Sequence, residues 1–339
     1  MKANGNHYRT VWLEGSVVKL INQPLLPHKF EIFSCRTCKE TAEAIKNMIV
    51  RGAGAIGAAA GYAMAQVFLS GDDVEAGAEL IKSTRPTAQN LFYAVEKVMK
   101  AKDKEEAVKI ANGIADEDAA ACKRIGEYGE PLIKTNFRIL THCNAGWLAF
   151  VDYGSALAPV YLANRNGKRV FIFVDETRPR CQGSMLTAWE LGNENIPYAI
   201  IADNAAGYYM RKKEIDIVIT GADRIAANGD AANKIGTYEK AVLAKENNIP
   251  FYIAAPIATI DFSISSGDEI LIEERNEEEV LEISGLNGNG KTSKIRISPK
   301  NAKAKNPAFD VTPAKYIKGF ITEKGIFKPE EIKKLYKLN

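Results

Sequence analysis

A thiol and a carboxyl each stand where a buried strand opens into a loop. Cys143 lies in T-H-C-N-A-G (141–146), after the strand-like R-I-L. Asp223 lies in G-A-D-R-I (221–225), after I-D-I-V-I-T. Side chains at the carboxyl ends of parallel strands converge on one crevice however far apart they are in sequence. A thiol and a carboxyl meeting there are two proton-transfer groups in one pocket. Alone, Cys143 reads as a core cysteine. His142 beside it can alter its ionisation, however, and Asn144 and Gly146 suit a turn rather than a strand interior. Asp223 ends a very apolar run, where a carboxylate is costly to bury unless paired. Arg224 after it reads either as surface-facing or as a support for the loop.

Several segments could hold an anion. G-A-G-A-I-G (52–57) has the spacing of a dinucleotide fingerprint, but a helix-like segment precedes it where the fingerprint needs a strand. Gly52, Gly54 and Gly57 therefore read as a tight joint into a closely packed helix. The free N–H groups at that helix start, around Gly52 and Ala53, also make an anion site with Arg51 directly before them. Packing and phosphate binding stand as equal readings there. T-R-P-T (84–87) sets Arg85 at the mouth of the next helix, with Pro86 in its first turn. Two such arrangements together could clamp a phosphate bidentately. A-N-G-D (227–230) is a turn, after which Asn233-Lys234 opens a helix and brings Lys234 to a phosphate oxygen with the helix N-terminus assisting. Gln182, starting the helix after the 175–180 loop, can hydrogen-bond sugar hydroxyls. Asp175 and Arg178 in D-E-T-R-P read as a structural ion pair. Cys35-Arg-Thr-Cys38 has the spacing of half a zinc site, but no second pair exists and His7, His28 and His142 show no ligand spacing. No metal is expected.

The elements that must position these groups change character along the chain. The first thirty or so residues hold short alternating pieces, T-V-W-L-E and S-V-V-K-L-I, that read as a small β element. Helical patterns follow in 37–66, in T-A-Q-N-L-F-Y-A-V-E-K-V-M and from Lys104 to about Gly129. After Pro131, apolar strand-like runs at R-I-L-T, 170–174, 198–201, 215–220 and 251–255 alternate with helical patterns at 182–191 and 234–246. That alternation is the signature of a mostly parallel sheet covered on both faces. The expected class is α/β, with a mainly helical domain over 1–130 and an open α/β domain over 131–339.

Composition sets bounds. With 45 basic and 42 acidic residues the net charge is +3, and the only modest basic cluster is K-N-A-K-A-K (300–305). That gives no electrostatic case for nucleic acid. No apolar run of the roughly 18–20 residues that a bilayer span needs is expected. The start lacks the apolar core of a signal peptide, and five cysteines are an odd, sparse set. A cytoplasmic protein with free thiols is expected.

The segments R-G-A-x-A-I-G, R-P-T, T-H-C-N-A-G, D-E-T-R-P-x-x-Q-G, L-T-A-W-E-L, G-A-D-R-I-A-A-N-G-D-x-A-N-K-I-G-T and N-P-A-F-D-V-T-P together resemble the methylthioribose-1-phosphate isomerase family. That family is related to regulatory subunits of the eukaryotic translation-initiation exchange factor. The resemblance covers nearly the whole chain. It implies a helical N-terminal domain with a small β element, a Rossmann-like C-terminal domain and a homodimer. It also implies an isomerase of methionine salvage acting on a pentose phosphate without cofactor or metal. Cys143 and Asp223 carry over as the catalytic thiol and carboxyl, with a dry pocket expected to raise the Asp223 pKa. Arg51, Gly52, Ala53, Arg85, Gln182, Asn233 and Lys234 carry over as substrate-binding positions. Two departures are Gly54, where the family has proline, and Met185, where it has arginine. These leave a relative that acts on 5-deoxyribose 1-phosphate, or on both sugars, as an alternative, and an isomerase of ribose 1,5-bisphosphate is a second one. A non-catalytic regulatory subunit is the reading of another class.

Overall fold

A computed structural model describes residues 1–86 and 88–338. The chain forms two compact units, one of residues 1–132 and 145–166, the other of residues 133–144 and 167–339. A single cut near residue 130 does not contain this return excursion, in which 145–166 packs with the first unit.

The first unit begins with an antiparallel three-stranded sheet, Val11–Glu14, Val17–Ile21 and Ile32–Cys35. Helices α1 (Cys38–Lys46), α2 (Ala53–Ser70), α3 (Val74–Lys82), α4 (Gln89–Val98) and α5 (Lys104–Gly129) follow, and α6 (Ala158–Arg165) comes from the returning segment. Side-chain caps start three of them: Thr37 accepts from Glu40 N–H, Asp73 from Ala76 N–H and Asp103 from Glu106 N–H. α2 is apolar all round and is buried from Gly54 to Val67, as a helix at the centre of a core must be. By length and composition alone it could cross a membrane, at 18 residues and a mean hydropathy of 1.3. The expectation that no segment qualifies is thus corrected, and the helix instead lies in the core with Ile45, Ile81, Leu91 and Ala111. Thr87, the last residue of the T-R-P-T motif, lies outside the described residues. Pro86 is not in the first turn of α4, which starts at Gln89 after an Ala88 cap.

Gly54 is not a joint but the second residue of α2. A Cβ there would fall 2.1 Å from Asp118 Oδ1 and 2.7 Å from Phe150 Cδ1, so the family's proline has no room beside this aspartate. Asp118 accepts from Val151 N–H at 2.7 Å, and burial, reinforced by Asp152, pushes its pKa up to about 7. Its folded value lies above the unfolded one, so between about pH 4 and pH 7 the folded chain holds a proton that the unfolded chain has lost. Stability therefore falls as pH rises through that window. Asp118→Asn is expected to stabilise the protein at pH 8 by on the order of 2 kcal/mol and to change little at pH 4. Urea titrations at the two pH values measure the difference, and equal midpoint shifts at both would contradict it.

The second unit is built on a seven-stranded sheet. Its order is Gly325–Phe327, Gly319–Thr322, Phe251–Ala254, Ile217–Thr220, Phe137–Thr141, Val170–Asp175, Tyr198–Ile201. All pairs are parallel except the edge strand Gly325–Phe327. Numbered in chain order, the six parallel strands run 6-5-4-1-2-3 across the sheet, the doubly wound order of dinucleotide-binding folds. The strands are nearly continuous apolar runs, as double-sided burial requires. Helices α7 (Ala188–Asn193), α8 (Ala206–Arg211) and α9 (Thr237–Glu246) lie between strands, and a π-helical turn at Gly183–Thr187 leads into α7.

A second sheet of four strands was not anticipated. It runs Ile260–Asp261, Arg224–Ala226, Ala231–Lys234, Phe309–Thr312. Asn233-Lys234 therefore ends a strand and does not open a helix. A-A-N-K has little β-propensity of its own, and full antiparallel pairing with Phe309–Thr312 overrides it.

Candidate active site

The sheet changes direction between Phe137–Thr141 and Ile217–Thr220, which pair directly in parallel. Ligands of such sheets bind outside the carboxyl ends of the strands at this switch point. Cys143 follows the first of these strands by two residues, and Asp223 follows the second by three. The two residues singled out by sequence thus leave neighbouring strands on either side of the switch.

Cys143 has a left-handed backbone, φ 63°, a conformation that costs a non-glycine residue energy and persists where neighbours enforce it. The enforcement is visible on both sides. Cys143 N–H donates to Thr177 Oγ1 at 2.8 Å, and Thr187 Oγ1 donates to the Cys143 carbonyl at 2.7 Å. Thr177 is itself left-handed and donates its hydroxyl to the Asp175 carbonyl at 3.0 Å. Asn144, which follows the cysteine, is buried and donates to Thr187 Oγ1 and Glu190 Oε1. Sequence reading missed Thr177 and Thr187. The signal available was their place inside D-E-T-R-P and L-T-A-W-E-L, next to residues already marked.

Asp223 donates its backbone N–H to the Ala232 carbonyl at 2.8 Å, which ties it to the hairpin formed by Arg224–Ala226 and Ala231–Lys234. Its side chain is exposed, in contrast to the dry setting expected for it. Arg224 turns to Asp261, at 3.6 Å. The hairpin also carries Asn233 and Lys234, both buried. Asn233 donates to Thr237 Oγ1 at 2.9 Å. Lys234 Nζ donates to the Ala308 carbonyl at 2.7 Å and stands 4.5 Å from the centre of the Phe309 ring. The ammonium has three donors, and among the described residues one hydrogen bond, to Ala308, uses them. The N-terminus of α9 does not assist: Gly236 and Tyr238 N–H groups are taken by the Asp310 carboxylate, at 2.7 and 3.0 Å. Burial raises the Asp310 pKa against those two bonds.

Gln182 stands at the entry to the π-helical turn, buried, and its Oε1 has no partner among the described residues. A buried acceptor left unsatisfied by protein is suited to a ligand hydroxyl. Met185 is partly buried in the same turn.

Asp175 does not pair with Arg178. Its Oδ2 lies 2.8 Å from His142 Nδ1 and 3.6 Å from Lys240 Nζ. The Arg178 guanidinium goes instead to the carbonyls of Pro179, Val280 and Glu282. Burial raises the Asp175 pKa, with His142 and then Lys240 opposing. Donor atoms of His142, Asp175 and Asp203 lie within 4.8 Å of one another. Both ring nitrogens of His142 and both oxygens of Asp203 already have protein partners, however, and an ammonium stands beside Asp175. The group is an ion-pair cluster and a poor cage for a cation.

In the first unit Arg51 precedes Gly52, the cap of α2, whose φ is 88°. A Cβ on Gly52 would lie 2.3 Å from the Ala149 carbonyl oxygen, so only glycine fits. Ala53 is the first helical residue, and the opening N–H groups of α2 are the orphan donors of an 18-residue helix. Arg85 is half-buried in the connection from α3 to α4, and its carbonyl accepts from Ala88 N–H. Cys35 and Cys38 are buried, and burial pushes both thiols up to about 11. They are inert packed cysteines.

The model of the Initiation factor 2 subunit family matches residues 49–329. The chain belongs to this family. Among its relatives is the methylthioribose-1-phosphate isomerase of Acetivibrio thermocellus, 52% identical over an alignment that covers 94% of this chain and 97% of the relative. The crystal structure of 5-methylthioribose 1-phosphate isomerase from Pyrococcus horikoshii OT3 is similar with a TM-score of 0.89 and 43% identity, covering 98% of this chain and 97% of that one. The structure of translation initiation factor eIF-2B, subunit delta, from A. fulgidus is similar with a TM-score of 0.84 and 39% identity, covering 97% and 99%. The mixed α/β architecture is thus shared over nearly the full length with the solved isomerase structure.

Proposed function

We propose that this chain is an aldose–ketose isomerase that converts 5-methylthio-α-D-ribose 1-phosphate to 5-methylthio-D-ribulose 1-phosphate in methionine salvage. The observation that carries the reading is near-full-length similarity to proteins named methylthioribose-1-phosphate isomerase. Support comes from Cys143 and Asp223 following neighbouring strands at the switch point. In this reading the substrate-binding positions implied by the family are Arg51, Gly52, Ala53 and Arg85 in the first unit and Gln182, Asn233 and Lys234 in the second, the cations suited to a phosphate and the open acceptor of Gln182 to a sugar hydroxyl. The enzyme acts as a cytoplasmic homodimer with no cofactor or metal.

The substrate is a furanose whose C1 carries the phosphate, so its ring does not open as a free sugar's does. Asp223 donates a proton to the ring oxygen as the C1–O4 bond breaks. Hydrogen then moves from C2 to C1, leaving a ketone at C2 and the phosphate still on C1. In one route the Cys143 thiolate takes the C2 proton and the thiol returns it to C1 through an enol, while the O2 proton passes to Asp223. In the other, hydrogen migrates from C2 to C1 as hydride and Cys143 accepts the O2 proton. Asp223 is exposed, so the water exclusion that keeps its proton comes with the bound sugar and its apolar 5-substituent. Asp223→Asn is expected to lower kcat about 100-fold or more. A kcat equal to the parent's would remove Asp223 as the acid.

Similarity to a protein called subunit delta of eIF-2B favours one other reading, a regulatory subunit without catalysis. A substrate panel separates them. Product is expected from the methylthioribose phosphate, with kcat/KM lower by about 10- to 200-fold for 5-deoxyribose 1-phosphate and lower still for ribose 1,5-bisphosphate. No turnover of any of the three, together with a stable complex with an initiation factor, would favour the regulatory subunit.

A further inference from the structure

The second unit buries three ionisable groups that the proposed reaction does not use: His142, Asp175 and Lys240, none more than 1% exposed at the side chain. His142 Nε2 lies 2.8 Å from the Ile235 carbonyl oxygen, which only accepts, so this nitrogen carries a hydrogen. Nδ1 lies 2.8 Å from Asp175 Oδ2. One proton is obligatory across that bond, since two lone pairs repel at such a distance. It sits on the ring, giving imidazolium and carboxylate, or on the carboxyl, giving two neutral groups. The pair has the same net charge either way, and Lys240 adds one positive charge beside it.

The same groups hold the backbone of Cys143. The side chain of Asp175 fixes His142, the residue before the cysteine. Its carbonyl accepts from the Thr177 hydroxyl, which in turn accepts the Cys143 N–H. Lys240 donates to the Asp203 carbonyl at 2.7 Å and meets Glu239, whose side chain is half exposed and screened by solvent. The other charged groups nearby have their own partners. The Asp203 carboxylate accepts from the Thr177 and Arg178 N–H groups, Asp310 accepts from Gly236 and Tyr238, and Glu190 accepts from Asn144. Arg178 lies 4.0 Å from the sulfur of Cys181.

We infer that His142, Asp175 and Lys240 are positioning residues that hold Cys143 in its left-handed turn and favour its thiolate. Asp175 fixes the ring of the residue before the cysteine and, through Thr177, the turn itself, and the buried Lys240 ammonium, 3.6 Å from that carboxylate, supplies the charge. This rests on the reading of Cys143 as a reacting thiol, and the test separates the two ideas.

The test is the pH dependence of Cys143 alkylation by iodoacetamide, followed on the Cys143 peptide by mass spectrometry. The other four cysteines are buried. In Lys240→Met and in His142→Gln the alkylation midpoint is expected to move up by about one pH unit, making alkylation about tenfold slower below both midpoints. A purely structural role would change the melting temperature or the rate at all pH values and leave the midpoint in place. An unmoved midpoint in both folded variants overturns the inference. If Lys240→Met does not fold, an unmoved midpoint in His142→Gln alone overturns it. Full turnover in Cys143→Ser alongside shifted midpoints would remove the catalytic reading and leave the positioning set standing. An inactive Cys143→Ser alongside unmoved midpoints would do the reverse.

Discussion

Cys143→Ser is expected to lower kcat by about three orders of magnitude or more while KM and melting temperature stay close to the parent's. Thiol and hydroxyl are nearly the same size, and the bonds that hold this turn use the backbone of residue 143. Thr177 receives its N–H and Thr187 donates to its carbonyl, and neither bond depends on the sulfur. What changes is the chemistry. A thiol ionises near pH 8.5 in the absence of other influences, whereas a serine hydroxyl stays protonated throughout the working range. Both proposed routes need that group to take and return a proton at C2 or O2, so the loss falls on kcat. Steady-state kinetics and a thermal melt on the same preparation check both halves. Near-parental turnover would sink the thiol assignment, and a large drop in melting temperature would show that the sulfur also stabilises the turn.

Gly183→Ala is expected to destabilise the protein by about 3 kcal/mol or more and to lower the activity of the fraction that folds. A Cβ at this position would lie 1.7 Å from the Asp175 carbonyl oxygen and 3.0 Å from Thr177 Oγ1. Backbone cannot give way here as a flexible side-chain tip would. The obstructed oxygen is the one that accepts from Thr177, which in turn accepts the N–H of Cys143. A shift that relieves the clash therefore reaches the thiol through two hydrogen bonds. The glycine of D-E-T-R-P-x-x-Q-G thereby acquires a physical cause: the turn that presents Gln182 runs directly against the end of the strand Val170–Asp175. Urea unfolding measures the first effect and kcat per folded molecule the second. Parental stability would show that the turn relaxes freely.

Much of the second unit was legible because a strand buried on both faces is an apolar run that needs no partner to be recognised. Five of the six parallel strands were read in this way, and their carboxyl ends pointed to Cys143 and Asp223. Gly319–Thr322, G-F-I-T, was missed because it is short, begins with glycine and lies in a polar stretch. α3 was missed as well, since Val74–Lys82 buries only Ala78 and Ile81 and so shows a thin apolar stripe. Non-local pairing hid the rest. Ala231–Lys234 becomes a strand through a partner that starts 75 residues later. Asp175 looked paired to Arg178 because the two are close in sequence, yet its partners are 33 residues before it and 65 after. Lys240 sits in K-A-V-L-A-K, a pattern that ordinarily marks a solvated helix face, and its burial is a tertiary fact. Of the residues proposed for phosphate, the helix start at Gly52 was legible from its glycines, whereas the capture of the α9 N-terminus by Asp310 was not.

That capture has a consequence for how the chain is made. The bonds from Lys234 to Ala308 and from Gly236 to Asp310 each span 74 residues, and the strand Gly319–Thr322 comes later still. At a synthesis rate of about 5–20 residues per second, the hairpin beside Asp223 and the start of α9 wait roughly 4–15 seconds for the residues that cap and pair them. During that interval a nascent chain presents an unpaired strand edge at Ala231–Lys234 and an uncapped helix start, the surfaces on which aggregation and chaperone binding act. The neighbourhood of the proposed acid is thus closed by Ala308 and the strand Phe309–Thr312, long after the hairpin and the start of α9 have been made.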